Sequence, residues 1–283
     1  AAPNYLSGSD LAKSLNMSRV GVWSRVNNLR KKGINIDATQ NLGYRFAGEP
    51  NFIEENLIIA WLEYIKCNQC IVDVREKVTS TNSEIEKLLP ERTSKTPIVI
   101  ISNQQTNGKG RFNKQWKSPR GGNIYMSIGF KPNVDLIKLR YFTLIQGIEI
   151  AKVLQKETNS NDLKIKWPND IFLNGNKIGG MLTEASIDCE KVNSLTFGFG
   201  LNVNTSPRLV DSNFGISSLK QESDSNYLLN EITARIIKKT IQTYRKCILT
   251  KLDTTLINDW NRHDFLYKKQ ITLVSGKREF QGM

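Results

Sequence analysis

The middle of the chain is patterned as strands. Leu163, Ile165 and Trp167 alternate up to Lys166, and Pro168 ends the run. Ile171-Phe172-Leu173 predicts a second short strand. Asn174-Gly175 then turns it back into a return strand carrying Lys177, Gly179 and Gly180. Ile98-Val99-Ile100-Ile101 is a continuous apolar run, the mark of a buried strand. Residues 123–130 alternate as a strand, Ile71 to Arg75 is another, and Leu195 to Val203 reads as a strand interrupted by glycine. Thr81 and Glu84 have the spacing of a capping box, opening a helix to Leu89. Helical spacing marks Leu136 to Glu157, with Ile137, Phe142, Ile145, Ile148 and Val153 as core candidates, and also Tyr227 to Leu249 and Thr254 to Arg262. Strands and helices are mixed without regular β-α alternation. This predicts an α+β domain, a mixed β-sheet with helices on one face.

The first fifty residues are patterned differently. Ser9-Asp10 is positioned to cap a short helix from Leu11 to Leu15, and Asn16-Met17 is a turn. Ser18 is the N-cap of a longer helix reaching about Lys32, with Gly33 as its stop. Val22, Val26 and Leu29 share one face of that helix and point inward. Val20, Ser24, Asn27, Asn28 and Lys31 point roughly away, with Arg19 and Trp23 at the flank. Ile34 to Ile36 and Gly43-Tyr44-Arg45-Phe46 predict a small β-hairpin wing. Two helices around a tight turn read as a helix-turn-helix. Residues 50–68 read as a linker followed by an amphipathic helix. The tail, 270–283, reads as one hairpin through Ser275-Gly276, too little to close a barrel. The division expected is 1–50, 51–265 and 266–283.

Charge adds a partner class. The 283 residues carry 40 Lys and Arg against 27 Asp and Glu, net +13, which favours a polyanionic or acidic partner. Arg19, Arg25, Arg30, Lys31, Lys32 and Arg45 against Asp10 and Asp37 make the N-terminal unit basic, as phosphate contact requires. The DNA-contact candidates are Ser18, Arg19, Val20, Trp23, Ser24, Asn27 and Arg45. No apolar run is long enough to span a bilayer and no signal-peptide core is seen, so the expected location is cytoplasmic. Cys67 and Cys70 have CxxC spacing without a second pair nearby, and they read as reduced thiols. A single histidine, His263, argues against Ser-His-Asp or Cys-His catalysis.

Two stretches carry candidate chemistry. Gln105-Thr106-Asn107-Gly108-Lys109-Gly110-Arg111-Phe112-Asn113-Lys114-Gln115-Trp116 is a glycine-rich, cationic loop after a strand. Its glycines open backbone N–H groups to a phosphate, and its Lys and Arg supply charge. It is neither GxxxxGK[ST] nor GxGxxG before a helix. The hairpin Lys166-Trp167-Pro168-Asn169-Asp170 to Lys177-Ile178-Gly179-Gly180 aims two cations and a bare backbone surface at one place, which suits an anionic ligand lying flat on a sheet.

With Ser80-Thr81-Asn82 upstream and Gly198-Phe199-Gly200-Leu201-Asn202-Val203-Asn204 downstream, these stretches resemble the biotin–protein ligase family, bifunctional type. That family's loop reads roughly GRGRxxRxW and its central lysine sits in KWPND. Lys109 and Lys114 stand here for arginines, keeping charge but losing the planar fork. The resemblance implies a class II synthetase-like central fold, a winged helix-turn-helix in front and a small SH3-like β domain behind, which looks incomplete here. It implies ATP, biotin and Mg2+. Biotin and ATP give biotinyl-5′-AMP, and a carrier-protein lysine then takes the biotin. Lys166 and Arg111 are the catalytic candidates. Ser80, Thr81, Asn82, Gln105, Lys109, Gly110, Arg111 and Lys166 are the biotin candidates. Gly108, Lys109, Arg111, Lys114, Trp116, Lys177, Asn202, Ile216 and Ser217 are those for the adenylate, and Asp170 is the candidate for Mg2+ support. The partners implied are a biotin carboxyl carrier protein, operator DNA and a second copy of the chain when ligand is bound. The alternatives are a biotin-sensing DNA-binding regulator without efficient ligase activity, and a lipoate-type acyl-protein ligase.

Overall fold

In the N-terminal unit α1 (Gly8–Ser14) is capped by Ser7, whose hydroxyl accepts from the Asp10 N–H at 3.0 Å. The cap expected at Ser9-Asp10 therefore lies upstream, at the last residue with extended backbone. α2 (Arg19–Lys31) is capped by Ser18 and stops before Gly33, at φ 82°. Val22 and Val26 are buried with Ala12, against Leu11, Met17, Ile36 and Tyr44. β1 (Asn35–Thr39) and β2 (Gly43–Gly48) form the antiparallel wing, and Leu6 bridges to Tyr44 beside it. The computed structural model describes residues 5–207, 215–249, 255–275 and 278–282.

The central unit runs α3 (Glu55–Tyr64), β3 (Ile71–Arg75), α4 (Thr81–Leu88), β4 (Ile98–Ser102), β5 (Gln105–Lys109), β6 (Gln115–Ser118), β7 (Asn123–Phe130), β8 (Val134–Asp135), α5 (Phe142–Thr158), β9 (Leu163–Lys166), β10 (Asp170–Leu173), β11 (Asn176–Asp188), β12 (Lys191–Asn202), α6 (Leu219–Ser223), α7 (Leu229–Leu249) and α8 (Thr255–His263). The main sheet has the order β3-β4-β7-β12-β11-β10-β9, with β8 on the end of β12. Only β3 and β4 pair in parallel among its described strands.

The sheet has two unlike faces because its strands alternate. One face presents Ile124, Met126, Ile128 and Phe130 of β7 and Leu195, Phe197, Phe199 and Leu201 of β12. These join α3, α5 and α7 in the main core. The opposite face presents Ser127 and Gly129 from β7 and Gly198 and Gly200 from β12. The short α4 packs there, through Ile85 and Leu89 on Ile98 and Ile100, and Trp116 of the β5–β6 hairpin covers Gly200. Large side chains on one face anchor the fold; small ones on the other leave room.

Several local expectations change in context. The capping box does not form: Ser80 is the N-cap of α4 without a side-chain cap bond, and Glu84 pairs instead with Arg75 and Lys87. The helix expected over 136–157 is split, because Leu136 donates to the Glu190 carbonyl and β8 pairs with β12. Only Phe142–Thr158 is α-helical. Trp167 is 54% exposed rather than part of the alternating core, since β9 ends at Lys166. Cys67 is buried, Cys70 half-buried, and all four cysteines are free. β13 (Ile271–Ser275) and β14 (Arg278–Gly282) pair as the tail hairpin, with Leu273, Val274 and Phe280 exposed. Gly276 of the expected turn, Thr254 at the expected start of α8 and the first four residues lie outside the described residues.

Candidate functional site

Register fixes the floor of the site. One transverse row reads Tyr125 on β7, Gly200 on β12, Gly180 on β11, Asp170 on β10 and Lys166 on β9. The next row places Ser127 opposite Gly198 and Gly198 opposite Leu182. The glycines are steric requirements. A Cβ on Gly200 would stand 2.6 Å from the Trp116 indole, and one on Gly198 would stand 2.1 Å from Asn82 Oδ1. Trp116 and Asn82 thus lie flat on the sheet because β12 carries no side chain beneath them. A cleft of about 640 Å³ opens over this floor. The sequence-predicted Ser80, Thr81, Asn82, Gln105, Lys109, Gly110, Arg111, Lys114, Trp116, Lys166, Asp170, Lys177, Asn202 and Ile216 all line it.

Gln105 ties the start of α4 to the glycine-rich hairpin. Its Oε1 accepts from the Thr81 N–H at 2.8 Å and the Thr81 hydroxyl at 3.2 Å, and its Nε2 donates to Ser118 at 2.8 Å. This replaces the missing cap on α4. Gly108 is buried in the same hairpin, where a Cβ would meet the Trp116 carbonyl at 2.5 Å. At its tip Arg111 stacks over Phe112, which is 83% exposed and held at φ 53°.

The cationic end is built by the β9–β10–β11 hairpin. Lys177 pairs with Asp170 at 2.7 Å and lies 5.6 Å over the Trp116 ring. Burial lowers the Lys166 pKa; Asp170 opposes that shift and Lys177 adds to it. Ser217 lies at the cleft's edge. Its N–H donates to the Lys177 carbonyl at 3.0 Å, and its own carbonyl accepts from Asn202 Nδ2 at 2.9 Å. Among the described residues, Asn202 Oδ1 and Trp116 Nε1 are buried polar atoms without a hydrogen-bond partner, and both belong to cleft-lining residues. Such atoms invite a ligand.

Two residues that sequence reasoning missed touch cleft-lining ones: Ser127 meets Thr81 and Asn82, and Glu184 meets Asn82 and Lys109. Ser127 had a signal, a small polar residue inside the fully buried strand β7. Glu184 had none, because its partners Asn82 and Lys109 lie far upstream in sequence. Burial pushes the Tyr125 hydroxyl up to about 12, and it donates to the Pro119 carbonyl at 3.0 Å.

The DNA-contact candidates fall elsewhere. Ser18 is spent as the α2 cap, accepting from the Gly21 N–H, and Arg45 pairs with Asp37 on the wing and lies over Tyr5. Arg19, Val20, Trp23 and Ser24 are exposed, and Asn27 is half-buried. Of the basic set, Arg30 donates to the Ile36 carbonyl and Lys32 pairs with Glu54 of the linker, which holds the wing and linker rather than leaving both cations for a partner.

A glycine-floored cleft rimmed by lysines, on an α+β sheet that follows a helix-turn-helix unit, defines a two-part chain, as comparison with known proteins also finds. Residues 74–202 match the biotin/lipoate A/B protein ligase family, and residues 1–45 match the HTH domain. The chain is 32% identical over 210 residues to the bifunctional ligase/repressor BirA of Bacillus spizizenii, covering 72% of this chain and 62% of that protein. Against BirA of Escherichia coli it is 25% identical over 281 residues, covering 99% and 84%. The chain thus spans less than two thirds of the Bacillus relatives it matches. Its fold resembles the biotin protein ligase of Aquifex aeolicus in complex with biotin and ATP, with TM-score 0.61, 20% identity and coverage of 75% and 85%. It also resembles that of Leishmania major in complex with biotinyl-5-AMP, with TM-score 0.59, 20% identity and coverage of 74% and 87%. No helix among the described residues is long and apolar enough to cross a membrane.

Proposed function

We propose that this chain is an ATP-dependent biotin–protein ligase that also acts as a biotin-responsive transcriptional repressor. The observation that carries the reading is the row Gly200-Gly180-Asp170-Lys166, a bare floor ending in a cation, with Asn82 and Gln105 at one side and Lys177 at the other. A flat ring with hydrogen-bonding edges fits beside Ser80, Thr81, Asn82 and Gln105, and a phosphate fits between Lys166 and the hairpin cations Lys109, Arg111 and Lys114. Trp116, Asn202, Ile216 and Ser217 border the place left for the nucleotide.

The chemistry follows from charge. Biotin's carboxylate is ionised at neutral pH, so no general base is required. Its oxygen forms a bond to the α-phosphorus while the bond to the pyrophosphate oxygen breaks, and pyrophosphate leaves. Lys166 and Arg111 stabilise the charge that develops there, and the β9–β10 turn holds Lys166 in place. An acceptor lysine amine on a carrier protein then attacks the acyl carbon and releases AMP. Mg2+ would neutralise the nucleotide phosphates. The residues suit an ion carried mainly by the nucleotide and water: Asn202 offers a partnerless carbonyl oxygen and Asp170 a carboxylate. No group of three or more His, Cys, Asp or Glu that could hold a metal exists among the described residues. Operator binding through α2 and the wing, homodimerisation on ligand binding and a cytoplasmic location complete the proposal. Biotin-dependent ATP–pyrophosphate exchange tests it. Exchange is expected with biotin and not with lipoate; biotin binding without exchange would leave only a sensor.

A further inference from the structure

The cleft's floor and its cationic hairpin are connected by one line of polar side chains that no motif predicts. Ser127 on β7 donates to Asn82 Oδ1 at 2.5 Å. Asn82 Nδ2 donates to Glu184 Oε2 at 2.6 Å. The other oxygen of Glu184 lies 3.5 Å from Lys109 Nζ, and Lys109 also pairs with Glu86 at 2.8 Å. Glu184 stands on β11 one row beyond Leu182, opposite Thr196.

The chemistry of this line is one-directional. Glu184 Oε2 accepts from Asn82 Nδ2, so the Asn82 carboxamide turns its nitrogen toward Glu184 and its oxygen toward Ser127. The flat seat over Gly198 leaves the amide little other freedom. Its second Nδ2 hydrogen is thereby set for the cleft, where an acceptor such as a ligand carbonyl would meet it. Reversing the amide would set its oxygen against the carboxylate, and removing the acceptor would leave a buried N–H unpaired. Lys109 has two carboxylates, and Glu86 still holds it when Glu184 loses its charge. The Asn82→Ala background separates the Asn82 role of Glu184 from its Lys109 role. The line also gives the glycine-rich hairpin an anchor without any ligand anion.

We propose that Glu184 is a positioning residue of the ligand site, fixing the orientation of the Asn82 carboxamide by accepting its hydrogen bond and so setting the donor offered to the ligand's carbonyl. The proposal rests on the ligase reading above. It is tested with two variants of the full chain in the biotin-dependent exchange assay. Glu184→Met keeps the volume and removes the acceptor; Glu184→Gln keeps an acceptor and removes the charge. Glu184→Met is expected to raise the biotin KM by about tenfold or more, the scale of an unmet buried donor, with kcat within about threefold. Glu184→Gln is expected to restore KM to within about threefold of the parent. Equal KM values in the two variants, high or low, overturn the proposal. Should Glu184→Met fold poorly by its melting temperature, the Asn82→Ala background decides. There Gln and Met at 184 are expected to behave alike, and a persisting difference shows that Glu184 does not act through Asn82. Absence of exchange in the parent chain would sink the ligase reading instead, so the two failures are distinct.

Discussion

β12 and α2 each divide packing from candidate chemistry, but by different means. On β12 the division falls between neighbours: Phe197, Phe199 and Leu201 are buried in the main core, while Gly198, Gly200 and Asn202 underlie the cleft. A strand's period of two leaves no neutral positions, so the cleft face must be emptied with glycine to receive anything. On α2 the division is angular. Val22 and Val26 are buried, and Val20, Trp23 and Ser24 are simply exposed. The strand's working face is defined by what is missing and has a shape; the helix's is defined by what reaches out and has mainly a charge. Substitutions should therefore separate stability from ligand binding sharply on β12 and gradually on α2.

The largest effect is expected on the packed face. Phe197 is fully buried and meets Phe142 edge-on at 5.6 Å. Phe197→Ala should cost about 3–5 kcal/mol of stability by denaturant melting, with any folded protein still able to bind biotin. Next comes Lys166→Ala, on the cleft side of β9. It should reduce biotin-dependent exchange by about a hundredfold or more while leaving the melting temperature nearly unchanged, because only a charge contact is removed. Near-normal exchange would exclude Lys166 from the chemistry. Gly198→Ala follows. A methyl group 2.1 Å from Asn82 Oδ1 cannot be accommodated without moving Asn82. Biotin affinity by calorimetry should fall about tenfold, the scale of a misplaced buried hydrogen bond, with a small stability change. A large stability loss and unchanged affinity would mean that the cleft face is packed like the core face.

Much of this division could be read from the chain, and the reason is its period. The hairpin through Asn174-Gly175, the buried run Ile98 to Ile101 and the strand 123–130 follow from local spacing, and each is present. The glycine-rich loop and the KWPND segment were legible as chemistry because charge and glycine are dense in them; the structure brings them to one cleft. What was not legible depends on partners distant in sequence. Thr81 looks like a cap until Gln105 takes its N–H from across the site. Trp167 completes an alternation that the turn interrupts. The glycine-rich loop shows only its cations in sequence, while its Lys109 meets Glu86 and Glu184, on α4 and β11. Of these two acids, Glu86 carries a pKa raised by burial, which Lys109 resists and Glu184 reinforces. Such pairings are set by register, which no single segment contains.

The smallest effect tests the helix side of the comparison. Arg25 and Arg30 sit on the same helix and look equivalent in a charge count. Arg30 donates through Nη2 to the Ile36 carbonyl at 2.6 Å and through Nε at 2.9 Å, so it closes the junction between α2 and β1. Arg25 is exposed. If α2 lies against DNA, Arg25 is available to displace a counterion from a phosphate and Arg30 is engaged elsewhere. Arg25→Ala should then weaken operator binding a few-fold and lower the slope of log affinity against log salt by about 0.9, one phosphate's worth. Melting of the N-terminal unit should not change. Arg30→Ala should lower that unit's stability by about 0.5–1.5 kcal/mol, the net worth of a typical intramolecular hydrogen bond, and leave the salt slope unchanged once folded. The contrast is modest because each arginine is one contact among several, but its sign differs between the two readouts. A salt slope that responds equally to both substitutions would mean that Arg30 leaves Ile36 to meet the nucleic acid. The angular division on α2 would then be a property of the unbound state alone, whereas that on β12 is fixed by the absence of side chains at Gly198 and Gly200.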